Sequence, residues 1–144
     1  MKMARPATIL AFDYGRKRIG IAVGQTVTAT ATPLTSVPAR QSRPGWESIS
    51  ELVRLWEPDV LVVGLPLNMD GTEQASTQDV RWFKRELEKR YCLPVFTADE
   101  RLSTREARER LAAWGTRKTD DDQVAAQVIL ETWFCDGSDV FCAG

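Results

Sequence analysis

Histidine is absent from this chain of 144 residues. Its absence excludes Ser-His and Cys-His catalysis, histidine-ligated metal sites and proton transfer by imidazole. If the chain is an enzyme, its chemistry must therefore use carboxylates, Lys, Tyr, Cys, hydroxyl groups or a hard metal ion.

Cysteine is scarce, and long apolar runs are missing. The three cysteines show no CxxC spacing, which argues against a disulfide framework or a zinc site and predicts buried or inert thiols. No run of about 18 apolar residues predicts a membrane span, and the apolar part of the N-terminus is too short for a signal peptide. We therefore expect a cytoplasmic protein with no membrane contact.

The net charge is close to zero, at −1, so the chain is not uniformly basic like many nucleic-acid binders. Locally, residues 101–118 contain six basic residues against two acidic ones, and a second basic zone comprises Arg16, Lys17, Arg18, Arg40 and Arg43. Such clusters are usually solvated faces. A basic surface beside an acidic pocket would instead suit a phosphate backbone, and both interpretations remain open at this point.

Apolar periodicity predicts an α/β fold. Period-two or continuous apolar runs predict strands at 8–13, 19–24, 27–37, 59–64 and 94–98, with Pro33 marking an edge or a bulge. Helical spacing and capping signals predict helices at 46–56, 77–91, 103–114 and 119–134. This order predicts a mixed five-stranded sheet, with three antiparallel strands followed by two parallel ones and helices on both faces. We expect one domain over residues 1–135 and a flexible tail over 136–144.

Two acidic residues lie at predicted strand ends, where sites form in such sheets. Asp13 ends the first strand, and Glu100 follows the last one. If these strands are neighbours, two carboxylates about 4 Å apart would repel by roughly 4 kcal/mol at an effective dielectric near 20, and Mg²⁺ would offset that repulsion. The simpler alternative is that Asp13 caps a turn while Glu100 pairs with Arg101 or Arg105.

A third acidic residue comes from the run Asp120–Asp122 at the start of the last predicted helix, where the helix dipole favours negative charge. At about 100° per residue, the last predicted helix has an apolar arc that begins at Ala125 and ends at Leu130, about 140° away. The arc also contains Ala126, Ile129 and Trp133. Asp122 falls inside that arc, whereas Asp120 and Asp121 fall outside it. We therefore predict that Asp122 faces the sheet, which makes it a candidate metal ligand.

Several further residues have two interpretations each. The segment Gly64–Pro66 with Asn68 forms either a phosphate-binding loop or a tight connection. Ser103 caps the helix at 103–114, and its hydroxyl is also a candidate phosphate contact. Trp46, Trp56 and Trp133 lie on apolar helix faces, so we assign them to core packing rather than to base stacking.

Four segments together resemble a known family: "AFDYGRKRIGIAVG", "VVGLPLNMDGTEQ", "DERLSTREA" and "AAQVILETWF". They are similar to the YqgF family, whose members are described as nucleases of pre-16S rRNA and, in older descriptions, as Holliday junction resolvases. The resemblance implies a ribonuclease H-like fold and phosphodiester cleavage by Mg²⁺, with Mn²⁺ as the alternative. It implies the carboxylate trio Asp13, Glu100 and Asp122, with Asp121 as the alternative third ligand.

The resemblance also implies a substrate and its contacts. We expect processing of the 5′ end of pre-16S rRNA, with the nucleic-acid backbone held by Arg16, Lys17, Arg18, Arg101, Ser103 and Arg105. The partner is then structured RNA or branched DNA, and the protein is a monomer or a weak homodimer. The alternatives are a Holliday junction resolvase, which must be a stable dimer, and a non-catalytic factor that binds RNA or the transcription machinery. Actin-like nucleotide binding is disfavoured because it needs two such domains.

Overall fold

The structure, a computed structural model, describes residues 7–15, 17–40, 43–66, 70–73, 75–99 and 121–136; within these, the side chains of 40, 43, 75, 99, 121–123, 135 and 136 are not described. The strands are β1 (Thr8–Tyr14), β2 (Arg18–Gln25), β3 (Thr30–Arg40), β4 (Arg43–Pro44), β5 (Val60–Leu65) and β6 (Val95–Asp99). The helices are α1 (Trp46–Trp56), α2 (Ala75–Tyr91) and α3 (Asp121–Asp136).

The strands form one mixed sheet in the order β4-β3-β2-β1-β5-β6. Neighbouring strands from β4 to β1 pair antiparallel, whereas β1 with β5 and β5 with β6 pair parallel. The predicted sheet of three antiparallel and two parallel strands is therefore confirmed. The two-residue strand β4, which pairs with the end of β3, was not predicted.

Both faces of the sheet are covered by helices, as predicted. Alternation along β1 sends Leu10 and Phe12 into a cluster with residues of α1 and α2. It sends Ile9 and Ala11 into a second cluster with residues of α3. The run of β5 is buried from Val60 to Gly64, as expected for a parallel strand covered on both sides.

The element boundaries show where sequence patterns suffice. Helix α1 has the predicted limits; it ends at Trp56 and is capped by Glu57, whose φ of 47° is left-handed and whose N–H donates to the Val53 carbonyl at 2.9 Å. Strand β3 starts three residues later than predicted because residues 26–29 form a turn in which Ala29 has a φ of 51°. The predicted irregularity at Pro33 is confirmed, since the pairing of β2 with β3 shifts register between Ile21 and Ala22.

The predicted one-sided apolar arc of α3 is wrong. Val124, Val128 and Gln127 are buried although they lie outside the arc from Ala125 to Leu130. Ala125 itself is only half-buried. Because burial extends around this helix, the angular argument does not by itself place Asp122 toward the sheet.

Some predictions concern other parts of the chain. The helix at 103–114 and the tail at 137–144 lie outside the described residues, so the domain limits stay a prediction. Cys92 is an exposed free cysteine, so it is not one of the buried thiols, and its inertness stays a prediction. The tryptophan assignment is confirmed: Trp133 is buried, and Trp46 and Trp56 pack against a buried cluster. Among the described residues, no helix is long and apolar enough to cross a membrane.

Candidate functional site

Asp13 is the central residue of the predicted site, and the structure places it one residue before the end of β1. Its side chain is half-buried. Because Ile9 and Ala11 belong to the cluster on the α3 side, alternation places Asp13 on that same face. The carboxylate therefore lies at the carboxyl end of a central strand, on the face of the sheet that α3 covers.

The positions beside Asp13 hold no bulky side chains. Gly20 of β2 pairs with Asp13, and Ser36 of β3 pairs with Gly20. On the other side, the β1–β5 register ends at Phe12 opposite Val63, and one further step brings Gly64 beside Asp13. The two glycines place no side chain on this face beside the carboxylate.

Ser36 adds an unused polar group to the same row. Its hydroxyl oxygen is buried and has no hydrogen-bond partner in the structure as described. A buried hydroxyl without a partner is costly, and it lies two strands from Asp13 on the same face. The Asp13 carboxylate is a hard oxygen ligand of the kind that a divalent cation prefers; two strand spacings, about 9.6 Å, separate the Ser36 backbone from that of Asp13.

Helix α3 covers the face of the sheet on which Asp13 lies. A Cβ at Gly24 would lie 2.7 Å from Leu130 Cδ2 and 3.3 Å from Phe134 Cε2. Gly24 pairs with Ile9 at the start of β1, and the Trp133 ring meets the Phe96 ring of β6 at 5.8 Å. The second half of α3 therefore packs near the start of β1 and against β6.

The lengths of α3 and β1 allow the first turn of α3 to reach the edge at Asp13. Nine residues separate Leu130 from Asp121, or about 13 Å of helix. Four residues separate Ile9 from Asp13, or about 13 Å of strand. If α3 runs antiparallel to β1, its first turn, which contains Asp121 and Asp122, comes level with Asp13. The side chains of these two aspartates are not among those described.

The strand order corrects one premise of the sequence argument. β5 lies between β1 and β6, so the strand that precedes Glu100 is not a neighbour of the strand that holds Asp13. Two strand spacings amount to about 9.6 Å. The strands therefore do not hold the two carboxylates about 4 Å apart, and the electrostatic repulsion calculated for that distance does not apply. Glu100 itself lies outside the described residues; it follows β6 directly and has the same parity as Ala98, which belongs to the cluster on the α3 side.

Two of the residues that we predict to contact the nucleic-acid backbone lie in the described part of the chain. Lys17, in the connection between β1 and β2, and Arg18, the first residue of β2, are both exposed. This connection needs a glycine, because a Cβ at Gly15 would lie 2.7 Å from the Arg18 carbonyl oxygen. The other predicted contacts lie outside the described residues: Arg16, Arg101, Ser103 and Arg105.

Tyr14 is a site-edge residue that the sequence analysis did not single out. It lies on the opposite face from Asp13 and stacks on Phe83 at a centroid distance of 4.6 Å. Burial, and secondly the nearby Asp79 carboxylate, raise the pKa of the Tyr14 hydroxyl above its ordinary value of 10.0. The sequence feature that could have identified Tyr14 as a residue near the site is its position directly after Asp13.

The loop after β5 is partly described. Asp70 Oδ1 accepts hydrogen bonds from the Thr72 N–H at 2.9 Å and from the Thr72 hydroxyl at 2.6 Å. Gly64 belongs to β5 itself rather than to the loop, and Asn68 lies outside the described residues. Within the described part of the chain, no three His, Cys, Asp or Glu residues group as a metal site; Glu100 and the Asp122 side chain are not in that part.

Comparisons with known proteins agree with this architecture. A family model described as "RuvX: Holliday junction resolvase" matches residues 7–136. A Nitrosococcus oceani protein named "Putative pre-16S rRNA nuclease" is 50% identical over 133 residues, which cover 90% of this chain and 88% of that protein. A Shewanella oneidensis protein of the same name is 48% identical over 131 residues, covering 88% and 93%.

Solved structures show the same fold at low identity. RuvC of Thermus thermophilus, in complex with a Holliday junction substrate, superposes with a TM-score of 0.56 at 16% identity, covering 90% of this chain and 94% of that one. Fowlpox virus resolvase with Holliday junction DNA gives 0.54 at 10% identity, covering 88% and 96%. With a family match over nearly the whole chain and relatives near 50% identity, the chain belongs to the RuvX (YqgF) family and is a nuclease of the ribonuclease H-like fold.

Proposed function

We propose that this protein is a metal-dependent endonuclease that processes the 5′ end of pre-16S rRNA. The observation on which this rests is the placement of Asp13 between two glycines at the carboxyl end of β1. Curated relatives at 48–50% identity share the pre-16S rRNA nuclease name, which supports this substrate.

Asp13, Glu100 and Asp122 would hold Mg²⁺, or Mn²⁺, which takes the same hard oxygen ligands. When bound, such a cation supplies Lewis-acid chemistry at the scissile phosphate. The chain's own residues hold and orient the substrate. Because histidine is absent, no imidazole moves a proton at this site.

Basic residues would hold the phosphate backbone beside the carboxylates. Lys17 and Arg18 are exposed one turn away from Asp13, and Arg16, Arg101 and Arg105 are proposed to act with them, together with the Ser103 hydroxyl. Contacts of this kind release counterions, so the binding constant should fall as salt rises.

A four-way DNA junction is the second candidate substrate. The family description and the bound DNA of both structural relatives favour it. Symmetric resolution needs two active sites, so this candidate requires a dimer under assay conditions. Sedimentation of the protein with and without a junction distinguishes it from a monomeric ribonuclease.

The test is a comparison of Asp13→Asn with the unmodified protein on precursor rRNA and on a junction, each with and without Mg²⁺. We expect Asp13→Asn to lose more than about 100-fold in cleavage rate, since outer-shell partners of a metal site alone are worth about 10–100-fold. Titration of Mn²⁺ by calorimetry should show weakened binding by the same variant. Glu51→Gln, an equal charge change at an exposed position of α1, is the matched control.

The third ligand is assigned by a second pair. Asp122→Asn should lose activity and metal affinity as Asp13→Asn does, whereas Asp121→Asn should retain both. The reverse result would assign Asp121. Unchanged cleavage in Asp13→Asn would refute the proposed function.

A further inference from the structure

One face of α2 has a composition that packing does not explain. Val80, Phe83 and Leu87 are buried on the side that meets the sheet. At about 100° per residue, the opposite side presents a narrow row, which we call the α2 row: Gln78, Trp82, Arg85 and Lys89. All four members of the row are exposed.

Trp82 is the unexpected member of the α2 row. The other described tryptophans pack in the core, whereas Trp82 is 38% exposed at the centre of a solvent face. Val27 and Leu55 are also large apolar side chains that are exposed in the described part. Single exposed apolar residues are common, but only Trp82 of these three is followed by basic residues three and seven positions later on the same face.

The charges of the row suit a polyanion. From Arg81 to Arg90 the helix has five basic residues and two acidic ones. No ion pair of Arg85 occurs among the described residues, and Lys89 pairs with Glu86 at 3.2 Å while remaining 74% exposed. Such surface pairs contribute little, so Lys89 can exchange its contact with Glu86 for a phosphate, and Arg85 has no ion pair with a described residue to give up.

The row begins at the same edge of the sheet as the candidate site, although α2 covers the opposite face from Asp13. The Thr77 hydroxyl donates to the Pro66 carbonyl directly after β5, which places the start of α2 at the carboxyl end of that strand. From Trp82 to Lys89 the row extends about 10 Å along the helix. A strand that leaves the Asp13 edge can therefore pass over the sheet edge and follow α2.

We propose that the α2 row binds a single-stranded segment of the nucleic-acid substrate next to the cleaved bond, with an unpaired base stacked on Trp82 and phosphates on Arg85 and Lys89. This inference rests on the proposed nuclease function and adds the substrate class that the surface takes. An indole face binds bases that are free to unstack, as in single strands, whereas bases inside a duplex are stacked already. An acidic protein partner would use the two cations but would not need the base stack.

The experiment measures binding of a fluorescent single-stranded RNA and of a blunt RNA duplex, without divalent cations, over a salt series. Trp82→Ala should weaken single-strand binding by about 5-fold to about 140-fold, the range of base–aromatic stacking. Its salt slope should stay unchanged. Arg85→Ala and Lys89→Ala should each lower the slope by about 0.7, and duplex binding should not depend on Trp82.

Controls separate this inference from misfolding and from the proposed function. Trp82→Phe should retain most of the affinity, and Leu55→Ala should bind as the unmodified protein does. Unchanged single-strand binding in Trp82→Ala, or equal losses on the single strand and the duplex, would overturn the inference. Binding of polyglutamate that depends on Arg85 and Lys89, with RNA binding intact, would assign the row to an acidic protein instead.

Failure of the two proposals can be told apart. The Trp82 measurement is of binding alone, whereas Asp13→Asn tests cleavage. Normal cleavage by Asp13→Asn would refute the proposed catalytic site without affecting the binding result.

Discussion

Gly24 controls how closely α3 approaches the sheet, and Gly24→Ala tests this contact. A Cβ at this position would lie 2.5 Å from the Thr30 carbonyl oxygen and 2.7 Å from Leu130 Cδ2. The Leu130 methyl group can rotate away, but the Thr30 oxygen belongs to the backbone beside the paired strand. An alanine at this position must therefore displace either strand β3 or helix α3.

The cost can be worked from these contacts. Forcing a methyl group into a packed core costs about 1–3 kcal/mol, and replacing a strand glycine by alanine returns about 0.5–1 kcal/mol. We expect a net loss of about 1–2 kcal/mol in the free energy of unfolding. For a chain of this size that lowers Tm by about 3–6 °C and the urea midpoint by about 0.5–1 M.

The assay is urea unfolding followed by circular dichroism, extended to a double-mutant cycle with Leu130→Ala. If α3 packs on Gly24 through Leu130, Gly24→Ala should cost at least about 0.5 kcal/mol less in the Leu130→Ala background. Leu55→Ala, at a side chain that is 73% exposed, should change stability by less than about 0.5 kcal/mol. A Gly24→Ala protein as stable as the original would refute the close approach of α3 to the sheet at this point.

Two further predictions concern the edges of the site. Because burial and Asp79 raise the pKa of Tyr14 above 10.0, the neutral phenol contributes stability below pH 10 that is lost as pH rises through the higher folded pKa. Asp79→Asn should move that pKa toward 10.0 in an ultraviolet phenolate titration, with Tyr14→Phe identifying the signal; an unmoved titration would contradict the role of Asp79. Thr77 is fully buried and its hydroxyl donates to the Pro66 carbonyl, so Thr77→Val should cost about 1 kcal/mol in urea unfolding; no loss would show that this bond does not hold the start of α2.

Local sequence patterns predicted the fold correctly where each pattern was compatible with one structure. Trp46–Trp56 is amphipathic, ends before Pro58 and has the predicted limits. The alternation of Thr in β3 continues backward through residues 27–29, so the sequence offered no sign of the turn that Ala29 makes with a positive φ. For α3, an apolar arc marked one packed side, but the burial of Val124 and Val128 depends on tertiary contacts that periodicity does not contain.

For the site, the sequence identified the residue types and missed the spatial order. Asp13 at a strand end followed from a single apolar run that stops at an acid. Predicting how far Glu100 lies from Asp13 required the order of the strands in the sheet. The order of the strands along the chain does not reveal that β5 lies between β1 and β6. Gly20 was predictable in principle, since a hairpin register pairs it with Asp13; Ser36 was not, because the bulge in β3 shifts its register.

The intervening strand explains why glycines surround Asp13. A cation shared by Asp13 and Glu100 would have to lie over β5, because the two flanking strands are about 9.6 Å apart. The position of β5 at that level is Gly64, which pairs with Ala98 of β6, so both residues there have the smallest side chains. Any larger side chain at Gly64 would project into the space that the two carboxylates must share. The proposed ligand set thus depends on a residue that binds nothing: β5 separates the two acidic residues in the sheet, and the missing side chain of Gly64 leaves the gap between them open.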